Sequence, residues 1–121
     1  MNKKIRREVA FNENAPPDVL KTLSTDENRA VRLVIVYNKN APPDVLNILS
    51  TDEDETIRSG IAYNKNTPLD TLIQMYKDDR SDSYIRSNIL SNLERRNIDI
   101  RNYLKENKKR NIDKLLNFLI E

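Results

Sequence analysis

The sequence predicts an all-α fold, a short array of helical repeats. Three observations predict it: a self-similarity of 26 residues, apolar side chains recurring at three- and four-residue spacing, and no segment with strand-length alternation. Asn12-Glu13-Asn14-Ala15-Pro16-Pro17-Asp18-Val19-Leu20 returns as Asn38-Lys39-Asn40-Ala41-Pro42-Pro43-Asp44-Val45-Leu46, then more loosely as Asn64-Lys65-Asn66-Thr67-Pro68-Leu69-Asp70-Thr71-Leu72. The register extends outward through Ile5, Val31 and Ile57, through Arg6, Arg32 and Arg58, and through Val9, Ile35 and Ile61. A fourth copy begins at Ile85-Arg86, after two extra residues assigned to the loop at 78–84, and decays after Asn92. The expected organisation is one repeat domain over 1–121, with copies at about 1–25, 26–51, 52–80 and 81–96 and cap helices over 97–121.

Each copy reads as two helices. The first is predicted over 27–37, where Val31, Val34, Ile35 and Asn38 share one face. Asn38-Lys39-Asn40 then supplies residues that tolerate a left-handed turn, and Pro42 is expected at the first helical position, where its missing N–H costs nothing. The second helix is short, over 42–50, with Val45, Leu46 and Leu49 inward. In the third copy Thr67 and Asp70 flank Pro68 as an expected N-cap pair. Ser50-Thr51-Asp52-Glu53 ends the short helix and opens the next long one, with acids at the positive helix end. In the tail, Asn97-Ile98-Asp99 and Asn111-Ile112-Asp113 read as two helix starts, and Ile112, Leu115, Leu116 and Leu119 form an apolar face suited to capping the array. One copy alone buries too few apolar side chains to offset the entropy of ordering 26 residues, so stacking of copies into an α-solenoid is required.

The pattern Asp52, Ile57-Arg58, Ile61-Ala62-Tyr63-Asn64, Asn66-Thr67-Pro68, Asp70 and Leu72, matched over 26–46, resembles the leucine-rich repeat variant, a HEAT-like helical repeat family. The resemblance covers about residues 5–92. It implies a right-handed superhelix alternating an α-helix with a shorter, often 3₁₀, helix. Glu13, Lys39 and Lys65 stand where the family often has Pro, and the Cys cluster that holds an iron–sulfur centre in some members is absent, which excludes that role.

Composition narrows the chemistry. The 121 residues include no Cys, no His, no Trp and one Gly, Gly60, so disulfides, thiolate or imidazole metal sites, His-dependent triads and glycine-rich phosphate loops are excluded. No catalytic residue, metal site or cofactor is assigned, and no enzyme activity is expected. The acidic runs at 52–55 and 78–82 lack the glycine and closing Glu of a calcium loop and read as solvated helix starts. Net charge is +2, from 21 basic and 19 acidic residues, with basic ends around an acidic middle. Arg6, Arg7 and Glu8 interrupt any signal-like apolar segment, and the longest apolar run, Leu33 to Tyr37, is far short of a membrane span. The expected location is cytoplasmic, without membrane association.

Recurring positions read as scaffold. Arg6, Arg32, Arg58 and Arg86 form a column, as do Asp26, Asp52 and Asp78. An anion-binding ladder is one reading; bonding of each Arg to the Asp loop or to helix-end carbonyls is the favoured one. Asn12, Asn38, Asn64 and Asn92 are read as closing orphan backbone groups, and Phe11, Tyr37 and Tyr63 as inter-helix packing in preference to base stacking. Gly60, in mid-helix, marks either a close backbone approach or drift.

Function is expected where copies differ on an exposed stripe. Opposite the Val31 direction lie Lys3, Arg7, Arg29, Leu33, Glu55, Ser59, Ser83 and Ser87, and the first six are the candidate contacts for a protein partner. The expected role is a non-catalytic protein-binding scaffold. The alternative is a nucleic-acid binder using Arg7 and Arg29 with Arg95, Arg96, Lys108, Lys109 and Arg110. Ile5 and Val9, uncovered where the array begins, suggest a homo-oligomer through the N-terminal end.

Overall fold

A computed structural model describes residues 1–96, and among them seven α-helices follow one another with no strand: α1 (Lys3–Phe11), α2 (Pro17–Leu23), α3 (Arg29–Val36), α4 (Pro43–Leu49), α5 (Glu55–Tyr63), α6 (Leu69–Lys77) and α7 (Ser83–Arg95). The expected cap helices, with Lys108, Lys109 and Arg110, lie outside the described residues. The odd-numbered helices pack in chain order, α1 on α3, α3 on α5 and α5 on α7, while α2 and α4 touch each other on one side. Val31 and Ile35 of α3, Ile57 and Ile61 of α5, and Ile85 and Ile89 of α7 are fully buried, and Leu20, Leu46, Leu49 and Leu72 of the even-numbered helices close the core from the other side. This is the face set by the three- and four-residue apolar spacing. No helix among the described residues is long and apolar enough to cross a membrane.

Local details correct the sequence reading in four places. Pro16, Pro42 and Pro68 are N-caps in extended backbone, so the first helical residue is Pro17, Pro43 or Leu69, one later than expected. The caps Asn12 and Asn64 are also extended, at φ −70° and −67°, and the turns close as Asx turns: Asn12, Asn38 and Asn64 accept from the amides of Asn14, Asn40 and Asn66. Thr67 does not cap α6, because its buried hydroxyl donates to the Ile61 carbonyl of the preceding helix at 2.8 Å. The two extra residues lengthen α6 to nine residues, against seven in α2 and α4, and leave the following connection at five residues.

The long helices start on side-chain caps that recur by copy: Asn2, Asn28, Asp54 and Asp82 accept from the amides of Ile5, Val31, Ile57 and Ile85. Their C-terminal carbonyls are closed by the next copy. Asn38 Nδ2 donates to Ala10 O at 2.8 Å and Asn12 O at 3.0 Å, Asn64 Nδ2 to Val36 O at 3.1 Å, and Asn92 Nδ2 to Ala62 O at 2.9 Å and Asn64 O at 2.8 Å. The asparagine column is therefore a chain of inter-copy bonds.

The arginine column links copies in the forward direction. Arg6 grips Asp26 with Nε at 2.7 Å and Nη2 at 3.3 Å, and Arg32 grips Asp52 at 2.8 and 3.3 Å, each a bidentate pair. Arg32 Nη1 also donates to Asp26 O at 2.8 Å, and Arg58 Nη1 to Asp52 O at 2.7 Å. Burial raises the Asp26 carboxyl, but the Asn28 amide and the Arg6 guanidinium outweigh it and hold its pKa below the usual value.

The third rung is broken. Asp26 and Asp52 stand two residues before the caps Asn28 and Asp54, but two residues before the cap Asp82 stands Arg80. The longer α6 has shifted Asp78 to the helix C-cap, where Arg80 binds it at 3.0 Å and, with the Arg80 backbone amide, holds its carboxyl at about 2. Arg58, only 7% exposed, is left with Nε unpartnered among the described residues.

The intact and broken rungs respond differently to substitution. Asp52→Ala strands the buried Arg32 guanidinium and is expected to lower unfolding free energy by about 3 kcal/mol in urea titrations. Arg80→Ala removes a pair of which Asp78 is 24% and Arg80 45% exposed, and is expected to change it by less than about 1 kcal/mol. Equal losses would contradict this assignment of the rungs.

Candidate functional site

Where α3, α5 and α7 lie side by side they leave an open groove of about 630 Å³. Its walls are the rings of Tyr37, Tyr63 and Tyr84, which are 63%, 56% and 63% exposed, and its floor includes Gly60. Phe11, the same column in the first copy, is also exposed. The aromatic column thus lies on the surface and does not serve the inter-helix packing expected of it. The reason is local: Tyr37 is the C-cap of α3, and Phe11 and Tyr63 are the last residues of α1 and α5, beyond the turn that faces the core.

The groove depends on Gly60. A Cβ built there would stand 2.5 Å from Cγ1 of Val36, so the α5 backbone rests directly on the α3 side chain. Val36 is β-branched and held by its helix, and it cannot swing aside cheaply. The copies show the complement in sequence: Ala10 and Ala62 occupy the Val36 position, and Val34 and Asn88 the Gly60 position. Of the two readings of Gly60, close approach is the one the geometry supports.

Three cations line the groove: Lys39, Lys65 and Arg95. Lys39 pairs with exposed Glu13 at 3.4 Å. Arg95 lies 4.1 Å from the Tyr63 ring centroid and donates from Nη2 to the Tyr63 carbonyl at 3.0 Å, a stack that fixes the guanidinium plane against the wall. No carboxylate is among the lining residues, although the described residues carry fifteen acidic side chains and fifteen basic ones. The lining is mostly ring and aliphatic surface, with the hydroxyls of Thr56 and Ser59 and the amide of Asn88 supplying polar points.

Of the candidate residues read from the sequence, the groove gathers Ser59 and Arg95. Lys3, Arg7 and Glu55 are exposed but do not line it. Arg29 pairs with Asp54, and its hydrogen bond holds that carboxyl's pKa below the usual value. Leu33 is half-buried against the core. Arg96 donates to Thr67 O at 2.7 Å, and burial lowers its guanidinium pKa, so it serves the scaffold. At the N-terminal end Ile5 is exposed, and Val9 is half-buried against the core.

Tyr84, Lys39, Lys65, Thr56 and Asn88 were not singled out by the sequence. With about 100° per residue, positions 56, 60, 63, 84, 88 and 95 all fall roughly 60° to 120° to one side of the buried direction. They form a flank beside the core face, whereas the stripe chosen from the sequence points directly away from it. No family model, curated protein or solved structure matches the chain.

Gly60→Ala tests the close approach. Helix propensity alone favours Ala by about 1 kcal/mol, and overpacking costs about 1–3 kcal/mol. A net loss is expected by urea unfolding, reversed in sign when Val36→Ala is present. A stabilising Gly60→Ala in the parent chain would contradict the packing described.

Proposed function

We propose that this chain is a non-catalytic protein-binding scaffold of the helical-repeat type. In this reading the helices form a right-handed α-solenoid of about four copies, of the kind the leucine-rich repeat variant resemblance implies. The observation that carries the reading is the open groove built from three successive copies, in which the recurring pairs Tyr37 and Tyr63, and Lys39 and Lys65, stand beside positions that differ between copies, Thr56 against Tyr84 and Gly60 against Asn88. Its volume lies in the range of binding clefts, and its exposed tyrosines are the side chains that supply rigid contact area at protein interfaces.

A nucleic-acid-binding reading has the exposed tyrosines and Arg95 in its favour. It lacks a supporting field, because acidic and basic side chains balance over the described residues and polyanion affinity rises with the number of phosphates neutralised.

Selection of random 12-residue peptides on the immobilised full chain tests the scaffold reading. Recovery of peptides that bind the chain in solution with Kd of about 1–100 μM is expected, with single-stranded DNA or RNA not retained at about 150 mM salt. Failure to recover any peptide would overturn it, and steeply salt-dependent oligonucleotide binding would assign the chain to nucleic acid instead.

A further inference from the structure

We infer that the Tyr37–Tyr63–Tyr84 groove takes an acidic protein segment in extended conformation, with a carboxylate of that segment on Arg95 and Lys65 and its neighbouring apolar side chain over Gly60. This rests on the scaffold reading and names the partner's chemistry.

Four observations converge on that occupant. The groove crosses three helices, and packed helices lie about 8–10 Å apart, so its length is about 20 Å, matched by about six residues at 3.3 Å each. Its charge is one-sided: Lys39, Lys65 and Arg95 line it and no carboxylate does, although acidic and basic side chains are equal in number over the described residues as a whole. Lys39 is engaged by Glu13, whereas Arg95 and Lys65 have no carboxylate partner among the described residues. A basic groove of mainly apolar surface, with cations at its edge, is complementary to alternating acidic and apolar side chains.

At the Tyr63 end of the groove Arg95 favours a carboxylate over a nucleobase. A base stacks on an open aromatic face, and one face of Tyr63 is already covered by the guanidinium at 4.1 Å. That same stack pre-orients a planar donor fork, the geometry that binds a carboxylate in two parallel bonds and loses little side-chain entropy in doing so. At Gly60 the bare backbone seated on Val36 leaves an apolar stretch of lining over which one apolar residue of the segment can lie. Opposite-charge steering then acts locally, at the groove, while acidic side chains outnumber basic ones over the rest of the described residues and offer no attraction to polyanions.

The test uses the full chain and the peptides recovered from a random 12-residue display library, followed by fluorescence anisotropy of the consensus peptide labelled with fluorescein. The expected consensus places Asp or Glu within two residues of Leu, Phe, Tyr or Trp. Arg95→Glu and Tyr63→Ser are each expected to weaken it at least tenfold, Arg95→Lys to weaken it by less, and Arg7→Glu to leave it within twofold, with circular dichroism and unfolding midpoints confirming intact fold. Replacing the peptide's acids by Asn or Gln is expected to weaken binding to the parent chain tenfold and binding to Arg95→Glu far less. A basic or purely apolar consensus, or binding indifferent to Arg95 and Tyr63, would overturn the inference and leave the scaffold reading standing. Recovery of no peptide would overturn both. Displacement of the peptide by oligo(dT)₁₅ with groove-dependent affinity would assign the groove to nucleic acid instead.

Discussion

The constraint on which this molecule depends is the closing of helix ends. A helix leaves four amides and four carbonyls without internal partners at its termini, so in a helix of seven to nine residues nearly every peptide group belongs to an end. Six of the seven helices described are of that length. Burying apolar faces between such helices is favourable only if the polar groups at their ends find partners at the same time. The recurring polar residues provide them: Asn2, Asn28, Asp54 and Asp82 at the starts, and Asn38, Asn64 and Asn92 at the carbonyl ends of the preceding copy. Because each asparagine reaches back about one copy, the same bond that satisfies a helix end also fixes where the next pair of helices sits.

The arginine–aspartate pairs add a second inter-copy tie, and the broken one shows what it is for. When α6 gains two residues, the side-chain cap of α7 is kept, with Asp82 accepting from the Ile85 amide, and Asp78 slips out of hydrogen-bond reach of its arginine. Satisfying the helix ends takes precedence over the ion pair. A buried ion pair is a weak source of stability but is costly to leave half-made, which agrees with Arg58 keeping its carbonyl partners while one nitrogen goes without. The groove follows from the same frame. With α3, α5 and α7 held side by side and Gly60 drawing α5 onto Val36, the residues flanking the core face are turned outward together, and they include three tyrosines and three cations.

How much of this was legible depended on the kind of signal. Apolar periodicity located each long helix and its buried residues, since burial of Val31, Ile35, Ile57 and Ile61 is what the spacing encodes. The arginine and asparagine columns were readable as structural because they recur in every copy. Single-residue capping was not, since Pro42 fits both the cap and the first helical position, and only the observed backbone, at ψ 159°, separates them. The two-residue insertion was visible as a change of spacing, but whether it enters a helix or a loop depends on which end keeps its cap. The groove was the least legible part. Exposure of Tyr37 and Tyr63 depends on where the helix ends, and a search directly opposite the core passes over a flank that exists only once neighbouring helices are in place. Comparison of the Val36 and Gly60 positions across copies, small against large, was the one sequence signal that pointed there.

The most direct measurement is the unfolding free energy of Asn38→Ala by urea titration. Its amide closes two carbonyls of the first copy and its oxygen accepts from Asn40, so the substitution leaves helix-end groups of two copies unpaired in a buried place. A loss of about 2–3 kcal/mol is expected, with faster amide exchange at the end of α1 and the start of the following turn. A loss below about 0.5 kcal/mol, with exchange at α1 unchanged, would contradict the claim that inter-copy closing of helix ends holds this structure together.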